Sequence, residues 1–305
     1  RGDFALDEVS PEGDFLFMSK RDSLLLFLVL VGVLSVLGFH PLADPDLPWH
    51  LVGGLWIAEH SAVPRLDPLG APGAAWIAYS WLPEVLIAAV YQLDGFSGLR
   101  LLQLSFVLFA GFSVFVLFCR VCRRDEDLLA ALIAWLFSLS LLAPMFHLRP
   151  QLLSVGFFAL FLRLLLSKRT SLLWLFLLTV FWANVHVFWV FVPTITMVHF
   201  ALRRDFRKAL LSVLLLSGAG VLSPYGFENI SLVFHYAFSH GIAYQLIDEF
   251  RPLSPKLGYL FPLFLCSLLL IPVFFRKIHK DPERQLLFLL AIIFGAASLL
   301  QRKYL

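Results

Sequence analysis

"SLLLFLVLVGVLSVLGF", Ser23 to Phe39, runs straight into "HPLADPDLPWHLVGG", His40 to Gly54. The first stretch has no charged residue and reaches the ~17 residues an α-helix needs to cross the hydrocarbon core of a membrane. The second sets Asp44 and Asp46 between His40 and His50. A span that delivers a polar cluster the moment it ends fixes the class of fold to look for in the rest of the chain.

The rest agrees with that class. Of 305 residues 60% are hydrophobic and 15% charged, with a mean hydropathy of +0.84. Soluble domains carry roughly 25% charged residues. Apolar runs of spanning length recur, and backbone amides in lipid must be satisfied within their own segment, so these runs are helices. The expected fold is all-α, a polytopic transmembrane helical bundle. The net charge of +3 comes without a basic stripe carrying interleaved stacking aromatics, which argues against nucleic-acid binding. Cys119 and Cys122 form a CxxC among Arg120, Arg123 and Arg124, but a zinc site needs a second pair, so packed thiols are the simpler reading.

Lys and Arg beside span ends mark the cytoplasmic side. With Lys20–Arg21 inside, residues 1–22 form a cytoplasmic tail and 23–39 a retained signal anchor. Further spans are expected at about 99–119, 128–144, 151–166, 172–184, 187–202, 209–222, 257–275 and 285–300. Every strongly basic turn then falls on one side, giving about nine spans in a transmembrane domain over 23–305, with a first outer loop at 40–98. The location implied is multi-pass in the cytoplasmic (inner) membrane, N-terminus cytoplasmic. Asp44, Asp46, His50, Glu84, His147, Arg149, Asn184, His186 and Arg251 then gather at the outer rim, with His235, His240, Asp248 and Glu249. Ionisable groups near membrane depth are costly and mark functional cavities.

The first outer loop carries helices of its own. Pro48 suits a first helical turn. From Trp49 to His60 the residues Leu51, Val52, Leu55, Trp56 and Glu59 make a mostly apolar face, with His50, Gly53 and Gly54 around the other side. This pattern fits a helix lying in the membrane interface. "WLPEVLIAAVYQL", Trp81 to Leu93, reads as a second short helix carrying Glu84, and a Pro/Gly loop joins the two. Asp46, just before the first helix, suits an N-cap. Asp44 precedes Pro45, which holds it extended and away from a helical role.

These parts in this order resemble the GT-C superfamily of integral membrane glycosyltransferases, which use polyprenyl-phosphate sugars. The likeness lies in "ADPD" (Ala43–Asp46), "WHLVGGLWIAEH" (Trp49–His60), "VPRLDPLG" (Val63–Gly70) and "WLPEVLIAAVYQLDG" (Trp81–Gly95). Arg100, at the start of the second span, has a counterpart in the protein-mannosyltransferase branch. The chain also resembles bacterial membrane proteins of this layout that carry D-x-D-x-x-W-H-L, R-P-Q, W-x-N-x-H and N-P-Y-G. Here these are Asp44–Leu51, "RPQ" (Arg149–Gln151), "WANVH" (Trp182–His186) and "SPYG" (Ser223–Gly226), with serine in place of asparagine in the last.

The resemblance implies transfer of a sugar or related group from a polyprenyl-phosphate donor to an acceptor at the outer face. Such a reaction needs a carboxylate to take the acceptor's proton, with Asp44 the first choice and Asp46 the second. It needs positive charge on the departing phosphate, for which Arg149 and Arg251 stand on the right side. His50, Glu84, Arg100, His147, Asn184 and His186 complete the expected substrate-binding set. Asp44 and Asp46 can instead hold a divalent cation, Mg or Mn, through carboxylate oxygens. The alternative function is a non-catalytic subunit that keeps this fold and docks partners in a larger membrane complex. A transporter ranks below both, since transporters place charges at the midplane rather than the rim.

Overall fold

The computed structural model describes residues 20–39, 41–68, 75–121, 128–167, 170–238 and 281–300. The expected span at 257–275, together with His40, His240, Asp248, Glu249, Arg251 and the His235 side chain, lies outside the described residues. Within them the chain is helical and contains no strand beyond one isolated bridge, Leu66 with Ala75.

α1 (Lys20–Gly38) is the expected first run, and α2 (Leu47–His60) the expected loop helix. α3 (Trp81–Val121) joins the expected short helix and second span into one element, kinked where Asp94 and Gly95 leave helical geometry. Gly95 sits at φ 55°, ψ −141°, a conformation that a side chain makes costly, so the kink is written into the sequence at that glycine. α4 (Leu128–Leu142) and α5 (Pro150–Leu165) form the first hairpin, with Pro150 at the first turn of α5 where its missing N–H is no loss. α6 (Leu172–Ala183), a 3₁₀ turn (Val187–Val190) and α7 (Phe191–Leu202) form the second. α8 (Phe206–Ala219), α9 (Glu228–Phe238) and α10 (Pro282–Leu300) complete the described elements.

α3 is the axis of the first half, touching α1, α2, α4 and α5. Its core joins Leu34, Leu99, Phe106, Val107, Trp135, Phe146 and Leu152. A second core lies between α5, α6, α7, α8 and α10 around Phe161, Trp182, Trp189, Leu216 and Leu286. Small residues permit the close approaches: a Cβ at Gly111 would overlap the Leu34 side chain, and one at Gly220 the Trp189 ring. Trp135 Nε1 donates to the Gly111 carbonyl at 2.8 Å, and Trp182 Nε1 to Ser154 Oγ at 2.8 Å, so both indoles are satisfied inside apolar packing.

The outward faces are apolar too. Leu24, Phe27 and Leu28 on α1, Leu129 and Ile133 on α4, Leu173 and Trp174 on α6, and Leu210 and Leu214 on α8 are all exposed. Among the described residues α3 is the one helix long and apolar enough to cross a membrane, and five stretches of 10–17 residues are apolar but shorter. The expected nine-span threading asks more than that: α6, with 12 residues, is about 18 Å long against a core of ~30 Å.

On α2 the side opposite the apolar stripe is the one packed into the protein: Gly53 and Gly54 are buried, with Leu47 and Ile57, while Val52 and Trp49 are exposed. A Cβ at Gly54 would overlap the Glu84 backbone carbonyl, so the two glycines let α2 lie directly on α3. Backbone proximity and a polar partner decide this face, and neither registers in a hydrophobic pattern.

Candidate functional site

The loop that leaves α1 folds on its own aspartate. Asp44 Oδ1 accepts the Asp46 N–H at 2.8 Å, and the Asp44 carbonyl accepts from Leu47 N–H at 3.2 Å. Asp44 therefore organises the entry to α2 as an Asx-type turn. Asp46, the expected cap, makes no side-chain cap hydrogen bond and has helical φ and ψ. The side chain that orders the entry to α2 is therefore that of Asp44 and not that of Asp46.

Across the bundle, Arg149 stands in extended conformation just before α5, held by its N–H to the His147 carbonyl at 2.8 Å. The proline after it excludes the helical region and aims the side chain away from the helix. Its Nε pairs with Asp44 Oδ2, and its Nη2 lies 3.2 Å from Asp46 Oδ2. The Asp44 side chain is 1% exposed and that of Asp46 52%. One guanidinium therefore gathers two carboxylates from 105 residues away, one sealed in and one open to solvent.

A second polar group adjoins the first. Glu84 is buried in the first turn of α3, where its Oε1 accepts from Ser80 Oγ at 3.0 Å and faces His50 Nδ1 at 3.1 Å. His186 is buried close enough to His50 for their charges to interact. Burial first, and His50 second, push its imidazole down to about 3, so it stays neutral. Its ring packs edge-on against Tyr79 and Phe188, and its Nδ1 has no hydrogen-bond partner among the described residues.

The two later motifs are clamps. Asn184 Oδ1 accepts from Trp81 Nε1 at 2.9 Å, while its Nδ2 donates to the carbonyls of Val180 at 2.8 Å and Leu222 at 3.1 Å. Expected to bind substrate, Asn184 has its amide engaged in joining α3, α6 and the turn after α8. Tyr225, from "SPYG", donates its hydroxyl to the Pro64 carbonyl at 2.7 Å and accepts from the Ala78 N–H at 3.0 Å, closing both arms of the first loop. Burial pushes its phenol up to about 12, so it remains a donor. Arg65 lies over the same ring, 5.8 Å from its centroid, and pairs with Glu228 at 2.7 Å. Asn229 Nδ2 reaches the carbonyls of Ala183 at 3.3 Å and Gly220 at 3.1 Å. In the sequence Tyr225 stands out only through its motif, a tyrosine in a Pro-x-Gly turn just beyond the expected span at 209–222, and nothing there marks Asn229.

No family model, curated protein or solved structure matches this chain. The site is therefore read from its own geometry. Asp44, Asp46 and Arg149 meet, and His50, Glu84 and His186 meet beside them. His147 joins through its backbone. Arg100 is exposed beyond the α3 kink and belongs to neither group. Among the described residues no set of three or more His, Cys, Asp and Glu side chains could hold a metal ion. Both aspartates face a guanidinium, which occupies the position a divalent cation would need. The residues as arranged do not fit Mg or Mn.

Proposed function

We propose that the chain is a multi-pass GT-C-type glycosyltransferase of the cytoplasmic membrane. In this reading it moves a sugar or related group from a polyprenyl-phosphate donor to an acceptor at the outer face. The observation that carries the reading is the Asp44–Arg149–Asp46 group, built from the first loop and the α5 N-terminus. A lipid-phosphate donor presents an anion beside an electrophilic carbon. A guanidinium held by a sealed aspartate and shared with an open one suits both needs: Arg149 meets the phosphate, and Asp46 meets the acceptor hydroxyl. The α5 N-terminus beside it adds the positive end of a helix dipole. The exposed apolar faces of α1, α4, α6 and α8 support a membrane position, and about nine crossings with a cytoplasmic N-terminus remain part of this reading.

The test uses the purified chain in proteoliposomes with synthetic polyprenyl-phosphate mannose, glucose and N-acetylglucosamine as donors. Release of polyprenyl phosphate is expected from at least one donor, and Asp46→Asn should lower it by about 10²-fold or more. An Asp46→Asn protein that turns over like the parent removes this site from the chemistry. A second reading, a non-catalytic subunit of a membrane complex, is favoured by one observation: Arg149 already neutralises both carboxylates. Absence of turnover with every donor, together with a stable complex on mild solubilisation, would select it.

A further inference from the structure

The proposed reaction leaves open which group receives the acceptor's proton. Both aspartates are turned to Arg149, and Asp44 has its two oxygens engaged by Arg149 and by the Asp46 N–H. We propose that the proton goes to His50, which Glu84 holds in a carboxylate–imidazole pair. This rests on the glycosyl-transfer reading and names the base within it.

The geometry of the pair carries the inference. Glu84 is buried and its Oε1 already receives the Ser80 hydroxyl, so its placement owes nothing to solvent. Facing that oxygen at 3.1 Å, the imidazole is held as the Nδ1–H tautomer, which leaves the Nε2 lone pair to accept a proton. Among the described residues His50 Nε2 makes no hydrogen bond, and it is not among the buried unpartnered atoms, in contrast to His186 Nδ1. The His50 N–H bonds the Asp46 carbonyl at 3.1 Å, so the imidazole stands one helical turn beyond the open carboxylate, on the same side of α2.

The surroundings are built for this pair. Two glycines inside one helix each cost roughly 1 kcal/mol relative to alanine. A Cβ at Gly53 would come within 2.9 Å of Glu84 Oε2, and one at Gly54 would overlap the Glu84 carbonyl. The costly Gly–Gly therefore seats Glu84 under His50. His186, whose electrostatics reach His50, is kept neutral by burial and adds no competing charge.

The step balances as follows. The acceptor's O–H proton passes to His50 Nε2 while its oxygen bonds the anomeric carbon of the donor. The bond from that carbon to the phosphate oxygen breaks, and its electron pair leaves with polyprenyl phosphate. Asp46 orients the hydroxyl and Arg149 receives the phosphate.

His50→Gln tests it, because glutamine still donates to Glu84 but accepts no proton at this strength. In proteoliposomes with the same synthetic donors, turnover should fall by about 10²-fold or more with an unchanged KM for donor. Nitrogen-15 spectra of histidine-labelled protein, assigned through the same variant, should show His50 as the Nδ1–H tautomer. Glu84→Gln should scramble that tautomer and lower turnover as well. Parent turnover retained to within about threefold in a folded His50→Gln protein overturns the proposal while leaving glycosyl transfer intact. An Nε2–H tautomer in the parent overturns it too, with no need of an assay. If the parent releases no polyprenyl phosphate from any donor, the glycosyl-transfer reading fails and takes this one with it.

Discussion

The two poles of the bundle use charge in opposite ways. At the pole of α2 and the α5 N-terminus, three contacts between partners far apart in sequence have buried or half-buried side chains, Asp44 with Arg149, His50 with Glu84 and Tyr225 with Pro64, while Arg65 with Glu228 is open to solvent. At the other pole the pairs are mostly local and open. Lys208 meets Asp205 three residues away, and Arg284 meets Asp281 in the same way. There Arg120 caps the end of α5 through the Leu166 carbonyl, and Arg203 reaches Glu283 at 3.0 Å. The charges at this pole serve helix ends: Asp205 caps α8 and Arg120 meets the Leu166 carbonyl just beyond α5. Ion pairs buried across the fold contribute little net stability compared with apolar packing, whereas breaking one by removing a partner is costly.

The comparison can be broken most directly at Arg149. Arg149→Ala leaves the sealed Asp44 carboxylate without its counter-charge, and the expected cost is about 3–5 kcal/mol, read as a loss of folded protein on solubilisation. A double change, Asp44→Leu with Arg149→Met, should restore much of that folding while abolishing any turnover. If the double variant folds no better than the single one, the pair is not a buried charge pair and the contrast between the poles fails.

His186 gives the next largest effect, through pH. Its folded value, about 3, lies below the ordinary 6.5, so the unfolded chain binds a proton that the folded chain refuses. At pH 7 neither state is protonated there and no penalty exists. As the pH falls below about 6.5 the unfolded state gains, and stability declines until the folded site itself titrates near 3. Melting temperature should therefore fall between pH 7 and pH 5 in the parent, and His186→Phe should flatten that slope. An unchanged slope would mean that His186 is not sealed from water.

Much of this was legible beforehand and some was not, for identifiable reasons. The helices at 23–39, 128–144, 151–166 and 209–222 follow from apolar runs bounded by charges, and the described elements match them to within a few residues. Asp44, Asp46 and Arg149 could be singled out because each breaks an apolar context next to a proline. Their division of labour could not. Whether Asp44 or Asp46 faces water depends on where a guanidinium 105 residues away arrives. That Gly53 and Gly54 are the contact of α2 with α3 was not legible, because a hydrophobic pattern scores glycine as empty. Asn184 was expected in the substrate-binding set from its place at the outer rim; that its three hydrogen bonds fasten three elements together was not legible there.

Tyr225 separates fastening from chemistry within the polar pole. Tyr225→Phe removes the hydroxyl that serves both the Pro64 carbonyl and the Ala78 N–H, leaving buried backbone groups unpaired at about 1–3 kcal/mol. The first loop should become sensitive to limited proteolysis between residues 60 and 80 at protein levels near those of the parent. The Asp44–Arg149 pair lies before α2, outside the segment that Tyr225 fastens, so turnover should fall less than in Asp46→Asn.

The smallest effect sharpens the comparison from the opposite pole. Asp205 caps α8, accepting the Lys208 N–H at 3.0 Å, and that backbone bond is the first cause that holds its carboxyl below the usual carboxylate range. The Lys208 ammonium lies 3.1 Å away but is 59% exposed, where screening by solvent removes most of the attraction. Lys208→Ala should leave the melting temperature unchanged within error at any salt concentration, because the cap is a main-chain contact and survives. A clear loss would show that charge pairs at the basic pole hold structure as those at the polar pole do. The long-range, buried character of the Arg149 and Glu84 groups would then no longer distinguish a functional pole from an ordinary one.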